Sequence, residues 1–261
     1  MKKNNFKFLV IMELKIMLKN ILFLIFGLAL PLFLVLVVGK YAMKDVPEQY
    51  MSMAHTSLFL GFAVVIPFSA MYIGYASLYS DSLEKEIPLR LELFGNSPQK
   101  LFLAKLVANL IYISVDLILF CIVSISLMEV EKPSIKGALV SIVLFYILSA
   151  LFLLLAHGIA YAFRKFGSTY AVTMSFYFFT MVTSGLMGIP TESLPKFIGK
   201  IGKLTLPTYH IASEEYLKFF IGEKANLAPL VQSTVTFGAI VLLVFIGAHK
   251  FRKRIGQYKK I

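Results

Sequence analysis

ALVSIVLFYILSALFLLLAHGIAYAF, residues 138–163, runs for twenty-six residues without one charge, and Arg164-Lys165 stops it. A helix rises 1.5 Å per residue, so about 20 apolar residues cross the roughly 30 Å hydrocarbon layer of a bilayer. This stretch is long enough to span. Working outward, comparable runs fall at 21–39, 56–79, 103–128, 169–189 and 228–248. Backbone groups in lipid find no water, so each run must satisfy its own hydrogen bonds as a helix. The composition agrees. Hydrophobic residues make up 58% of the chain and charged residues 15%, against roughly 45–50% and about 25% in soluble domains. Six spans use up most of the 261 residues. The expectation is an all-α polytopic membrane protein, 1–261, folded as a single transmembrane domain. The opening MKKNNFKFLVIMELKIMLKN mixes Lys and Glu with apolar residues and lacks a small-residue cleavage site. It is read as uncleaved, with the first span retained. The single cysteine, Cys121, lies in an apolar run and is read as a small core residue.

The net charge of +12 raises the question of a nucleic-acid partner. The placement of the charge answers it. With the N-terminus inside, the inside segments hold 17 of the 26 basic residues, among them Arg90, Arg164, Arg252 and Arg254. The outside segments hold the other 9, all lysine. The positive-inside rule selects this orientation and rejects its inverse. Both termini are therefore expected in the cytoplasm, with the basic excess facing anionic lipid of the plasma membrane. Nucleic acid is excluded as a partner.

Two connections are long: 80–102 on the inside and 190–227 on the outside. Long loops in compact proteins often carry function. The inner one reads YSDSLEKEIPLRLELFGNSPQKLFLAK, residues 79–105. Pro88 suits an early helical position, and Gly95-Asn96-Ser97-Pro98 reads as a helix stop and turn. Leu89, Leu93 and Phe94 form an apolar ridge, while Glu84, Glu86, Arg90 and Glu92 supply charges. That is the pattern of a rigid contact with a partner: apolar area for packing, charge for register. Ahead of the first span, Lys3, Lys7, Lys15 and Lys19 share about half a helical wheel, with Glu13 off that arc. Residues 1–20 are thus expected as a helix along the inner membrane surface. In the outer connection, Phe197, Ile198, Ile201 and Leu204 share one face and Lys196, Lys200 and Lys203 the other. Ser193-Leu194-Pro195 reads as a helix start with Pro at the first helical position.

Taken in order, these elements resemble the permease subunits of type-two ABC exporters. In that family a surface helix leads into span one, a short coupling helix joins spans two and three, and re-entrant or interfacial helices join spans five and six. Glu84, Glu86, Leu91, Leu93, Pro98 and Lys105 match the coupling region in type and order. The family's Gly-Thr pair is replaced here by Ile87-Pro88. Ser184-Gly185, Pro190, Leu194-Pro195, Leu206-Pro207 and Tyr209 match the outer segment. The resemblance implies that Glu84, Glu86, Leu89, Arg90, Leu93 and Phe94 contact a cytoplasmic ATP-binding-cassette ATPase. It implies that Pro190, Pro195, Pro207 and Tyr209 belong to a re-entrant exit segment, and that a second permease, identical or similar, completes the transporter. No G-x-x-x-x-G-K-[ST] phosphate loop occurs in the chain. ATP and Mg are expected on the ATPase subunit, and this chain is expected to bind no cofactor and not to be an enzyme. The implied cargo is amphipathic: a drug, a peptide or bacteriocin, or a lipid-like molecule. Export of a polysaccharide or teichoic-acid-type polymer on the same fold is the alternative. A membrane enzyme or a toxin-immunity anchor are rivals from other classes.

Within the third span, Asn109, Tyr112 and Asp116 fall at i, i+3 and i+7, on one helical face. A carboxylate in a span is costly unless neutral, hydrated or paired. The stripe reads either as a wall of the translocation path or as a latch between helices. His55, His157, His210 and His249 have no Cys or carboxylate at metal-ligand spacing. Glu214-Glu215 lacks the downstream Arg of Glu-Glu membrane proteases before Arg252, and no Ser-His or Asp pair at membrane depth supports hydrolysis.

Overall fold

The structure is a computed structural model and describes residues 4–41, 46–187 and 191–258. All regular structure among them is helical. Helix α1 is Asn4–Lys19, and α2 covers 21–41 with a π-helical turn at Ile25–Ala29. Helix α3 is Glu48–Glu84, with a second π-helical turn at Ser69–Gly74. Then follow α4 (Ile87–Leu93), α5 (Pro98–Leu127), α6 (Ile135–Phe163) and α7 (Phe166–Thr183). Three short helices come next: α8 (Lys196–Thr205), α9 (Pro207–Ile211) and α10 (Glu214–Ile221). Helix α11 (Ala228–Tyr258) closes the chain. The long helices overrun the apolar stretches seen in sequence. α3 continues past Tyr79 to Glu84, and α11 continues past Ala248 through the basic residues, because charged turns are good helix formers once outside lipid.

Four helices among the described residues, α3, α5, α6 and α11, are long and apolar enough to cross a membrane. In α3 the most apolar window is 89% buried, against 28%, 39% and 22% in α5, α6 and α11. Helix α3 is therefore the axle, and the other three present apolar stripes outward. Val115, Ile118, Ile122 and Ile125 on α5 are all more than half exposed. An apolar stripe of that length needs lipid or protein to cover it.

The long helices run up and down between two ends. One end gathers the α3–α4 turn, the α6–α7 turn and Arg252 around a shared groove. The other gathers the start of α3, the α5–α6 connection and α10. There Ser52 Oγ donates to Glu131 at 2.7 Å, and the Ser134 N–H donates to the Phe220 carbonyl at 2.9 Å.

Helix α1 lies across the base of α5 and buries Leu9, Val10, Glu13 and Met17. Lys7, Lys15 and Lys19 face outward, as the lysine arc requires. Asn20 then breaks the helix, and its Oδ1 caps α2 by accepting the Phe23 N–H at 2.9 Å. The two π-helical turns pack on each other. A Cβ on Gly27 would stand 3.3 Å from the Cβ of Ala70 and 3.2 Å from the Tyr112 hydroxyl, and one on Gly74 would stand 2.7 Å from the Phe23 ring. Small residues at these points allow the close approach on which helix association in lipid depends.

The 191–227 segment packs back onto α7 and α11. Ser184 and Thr208 share a hydrogen bond of 2.7 Å, as do Ser141 and Tyr216. One expectation is corrected here. Pro195 is the N-cap of α8 with extended ψ, and the helix begins at Lys196. Pro207 does stand at the start of its helix.

Gly137 sits against the Phe220 carbonyl, and a Cβ there would overlap that oxygen. Gly167 has nothing within 4 Å of its Cβ position. Gly137→Ala is expected to destabilise the protein by ~2 kcal/mol or more, while Gly167→Ala is neutral or slightly stabilising. Thermal unfolding of the detergent-solubilised variants measures both.

Candidate functional site

Helix α4 is short, and its neighbours fix both of its ends. Lys85 pairs with Asp81 at 2.8 Å one turn back. Glu86 then takes a left-handed conformation, φ 55°, which turns the chain out of α3. Such a residue costs about 1 kcal/mol when it is not glycine, so the tight corner is maintained by its surroundings. One such tie is Glu84, whose Oε2 accepts the Phe166 N–H at 2.8 Å. That carboxylate caps the start of α7 from another helix, where N-terminal N–H groups attract negative charge. Pro88 occupies the first turn of α4. The helix stops in a Schellman arrangement: Gly95, φ 84°, donates to the Glu92 carbonyl and Asn96 to that of Leu91. The Asn96 side chain donates to the same Leu91 oxygen at 3.1 Å. Ser97 caps α5, accepting the Lys100 N–H at 3.3 Å, with Pro98 as its first residue.

The result is a rigid projection with an inner and an outer side. Leu91 is half-buried against the core. Leu89 is half exposed, Leu93 is 81% exposed and Phe94 is 83% exposed. Glu84, Glu86, Arg90 and Glu92 are exposed as well. The six residues Glu84, Glu86, Leu89, Arg90, Leu93 and Phe94 therefore stand on one projection at one end of the bundle. Beside them opens a groove of about 530 Å³, lined by Glu84, Glu86, Pro88 and Leu89 on one wall and Phe163, Arg164, Lys165 and Arg252 on the other.

The polar stripe in α5 lies elsewhere, inside the bundle. Asn109, Tyr112 and Asp116 are all buried, on the face that also buries Phe120 and Ser124. Asp116 is 2% exposed. Asn109 Nδ2 donates to the Lys105 carbonyl at 2.7 Å, but its Oδ1 has no partner. The Tyr112 hydroxyl, Asp116 Oδ2 and Ser124 Oγ also lack partners among the described residues. Tyr112 packs edge-on to Phe23, ring centroids 4.6 Å apart, so the stripe faces α2. In the 191–227 segment, Pro195 caps α8, Pro207 starts α9, and Tyr209 packs beside Gly202 with the Lys203 ammonium 5.9 Å from its ring centre. Pro190 lies outside the described residues.

Two features were not found by sequence reasoning. Glu13 lies on the buried face of α1, where its oxygens accept Lys105 Nζ at 2.7 and 2.8 Å. The histidines also prove to be more than span-end residues. His157 Nδ1 shares a 2.8 Å hydrogen bond with the Tyr75 hydroxyl, and its ring stacks on Tyr79 at 4.3 Å. His249 stacks on Tyr161 at 4.5 Å and lies 6.2 Å from His157. The Lys105 ammonium is 5.7 Å from the Tyr79 ring centre. A continuous column thus runs from Glu13 through Lys105, Tyr79 and His157 to Tyr161 and His249, joining α1, α3, α5, α6 and α11. The signal was present as spacing. Tyr75 and Tyr79, like His157 and Tyr161, are four residues apart near the same end of their helices. Among the described residues no group of three or more His, Cys, Asp or Glu converges as metal ligands.

Comparison with protein-family models, with curated proteins and with solved structures returns no match.

Removing one partner of a buried ion pair leaves the other uncompensated, at a cost of about 3 kcal/mol. Glu13→Ala and Lys105→Ala are each expected to lose that much stability. The double change Glu13→Leu with Lys105→Met should recover most of it. Protease resistance of the purified variants against temperature reads the difference.

Proposed function

We propose that this chain is the membrane-spanning subunit of an ATP-driven exporter of the type-two ABC class. On this reading it has six spans. Helices α3, α5, α6 and α11 are four of them, and α2 and α7, packed alongside, are the other two. Helix α7 is rich in Ser, Thr and Tyr, which suits a span that is not wholly faced by lipid. Both termini and α4 are then cytoplasmic.

The observation that carries the proposal is the exposed ridge of α4. Leu93 and Phe94 are four-fifths exposed at the tip of a helix pinned at both ends. Apolar side chains held rigidly in water, with charges around them, are what a mechanical contact requires. A separate ATPase subunit binds and hydrolyses ATP with Mg, and a second permease completes the pathway. Movement of α4 by the ATPase reaches the bundle by two routes. Glu84 carries it to α7, and the Tyr79–His157 stack carries it to α5, α6 and α11. Packed helices respond as bistable bodies, so a small push shifts the protomer between two arrangements. The cargo is amphipathic, moved outward past α7 and the outer helices α8–α10.

The test is reconstitution with the candidate ATPase in liposomes. Leu93→Ala with Phe94→Ala is expected to reduce stimulated ATP turnover and efflux by at least about ten-fold, since two apolar anchors are worth several kcal/mol when buried. Unchanged turnover sinks the assignment of α4. Orientation has its own check. With Cys121 replaced by Ala, a cysteine at position 94 should react with a membrane-impermeant maleimide only from the cytosolic side.

A further inference from the structure

The groove beside α4 has a second chemistry that partner contact leaves unused. Its far wall is the α6–α7 turn and α11: Phe163, Arg164, Lys165 and Arg252. Phe163 is the last residue of one candidate span, and Arg252 lies in the basic turn that follows the apolar run of α11. The groove therefore opens where hydrocarbon gives way to water. Both arginines are held by the same tyrosine. Arg252 Nε donates to the Tyr161 carbonyl at 3.2 Å, and the Arg164 guanidinium lies 5.6 Å from the Tyr161 ring centre. Arg164 is fixed further by its left-handed backbone, φ 53°, which ends α6. Among the described residues none of the three cations has a carboxylate within ion-pair distance. Of the two carboxylates on the groove, Glu84 is engaged by the Phe166 N–H.

We infer that this groove binds the headgroup of an anionic phospholipid from the leaflet on that side. Two pre-positioned guanidiniums and an ammonium meet the phosphate, and Arg planes match phosphate oxygens in bidentate fashion. The exposed Phe163 and Leu89 border the acyl chains. Basic pockets at the cytoplasmic ends of membrane helices recognise such lipids. The bound lipid would bridge α4, the α6–α7 turn and α11, so it would also set how firmly the α4 projection is held. The lipid site needs only a membrane, and stands or falls separately from the exporter reading.

The experiment uses the full chain in nanodiscs of phosphatidylcholine with one part in five phosphatidylglycerol. Lipid retained after transfer to detergent is measured by mass spectrometry, for wild type and for Arg164→Gln with Lys165→Gln. Lys196→Gln with Lys200→Gln at the other end is the control. Wild type and control should retain phosphatidylglycerol over phosphatidylcholine. The groove variant should lose that preference by roughly twenty-five-fold, at about five-fold for each cation removed. A titration on wild type alone guards against a folding defect: phosphatidylglycerol should raise the melting temperature, and phosphatidylcholine should not. Equal retention by wild type and groove variant overturns the proposal. So does the same thermal shift with millimolar inorganic phosphate, or with an acidic peptide in place of lipid.

Discussion

Close packing around α3 is the constraint from which the rest follows. Its central stretch is enclosed by protein, with Gly61, Ala63, Ser69, Ala70, Gly74, Ala76, Ser77 and Ser80 all buried along its length. Lipid tails are as apolar as leucine, so burying leucine gains little between helices in a bilayer. What holds such helices together is contact at short range, and small side chains make it possible. The rings of Phe68, Tyr72, Phe152 and Tyr177 fill the space around this axle, with Phe68 4.7 Å from both Phe152 and Tyr177. Its π-helical turn meets the one in α2, and such turns in long helices occur mostly where geometry is adjusted for function. Pro67, just before the turn, removes one backbone donor and contributes to the local rewinding.

At one end of that axle the charges are arranged differently from the way their sequence positions imply. Glu13 is buried, its pair with the partly buried Lys105 is largely shielded from solvent, and together they anchor the N-terminal helix. A buried pair is a weak source of net stability, but losing either partner leaves an uncompensated charge, which ties α1 to α5. The aromatic column above it extends this tie to α6 and α11. Helix α4 rests on the same end and projects its apolar ridge away from it. The structure therefore pairs a rigid support with an uncovered surface, the combination on which the exporter reading rests.

The all-helical class, the four long apolar helices and the existence of α4 were legible from the residues alone. Each depends on local rules: run length, charge placement, and Pro and Gly punctuation. The helical face shared by Asn109, Tyr112 and Asp116 was legible for the same reason, since a period of 3.6 is local. Its surroundings were not. That the stripe turns inward to Phe23 of α2, with unpartnered oxygens, depends on how α5 is rotated. Likewise Glu13 read as a residue off the lysine arc, because its partner stands ninety-two positions away.

By itself the sequence determined which long stretches become helices and which connections carry charge; several helix ends departed from it, α3 and α11 overrunning their apolar runs and α8 beginning after Pro195. Hydrogen bonding in lipid, capping and turn chemistry act within a few residues. Only the tertiary structure decided that α3 is central, that Glu13 meets Lys105, that His157 and His249 stack, and that Arg164 and Arg252 converge on Tyr161. Those outcomes depend on the rotation and depth of each helix against its neighbours. Close packing of small residues sets both, and it is a property of pairs of surfaces that no single stretch of chain contains.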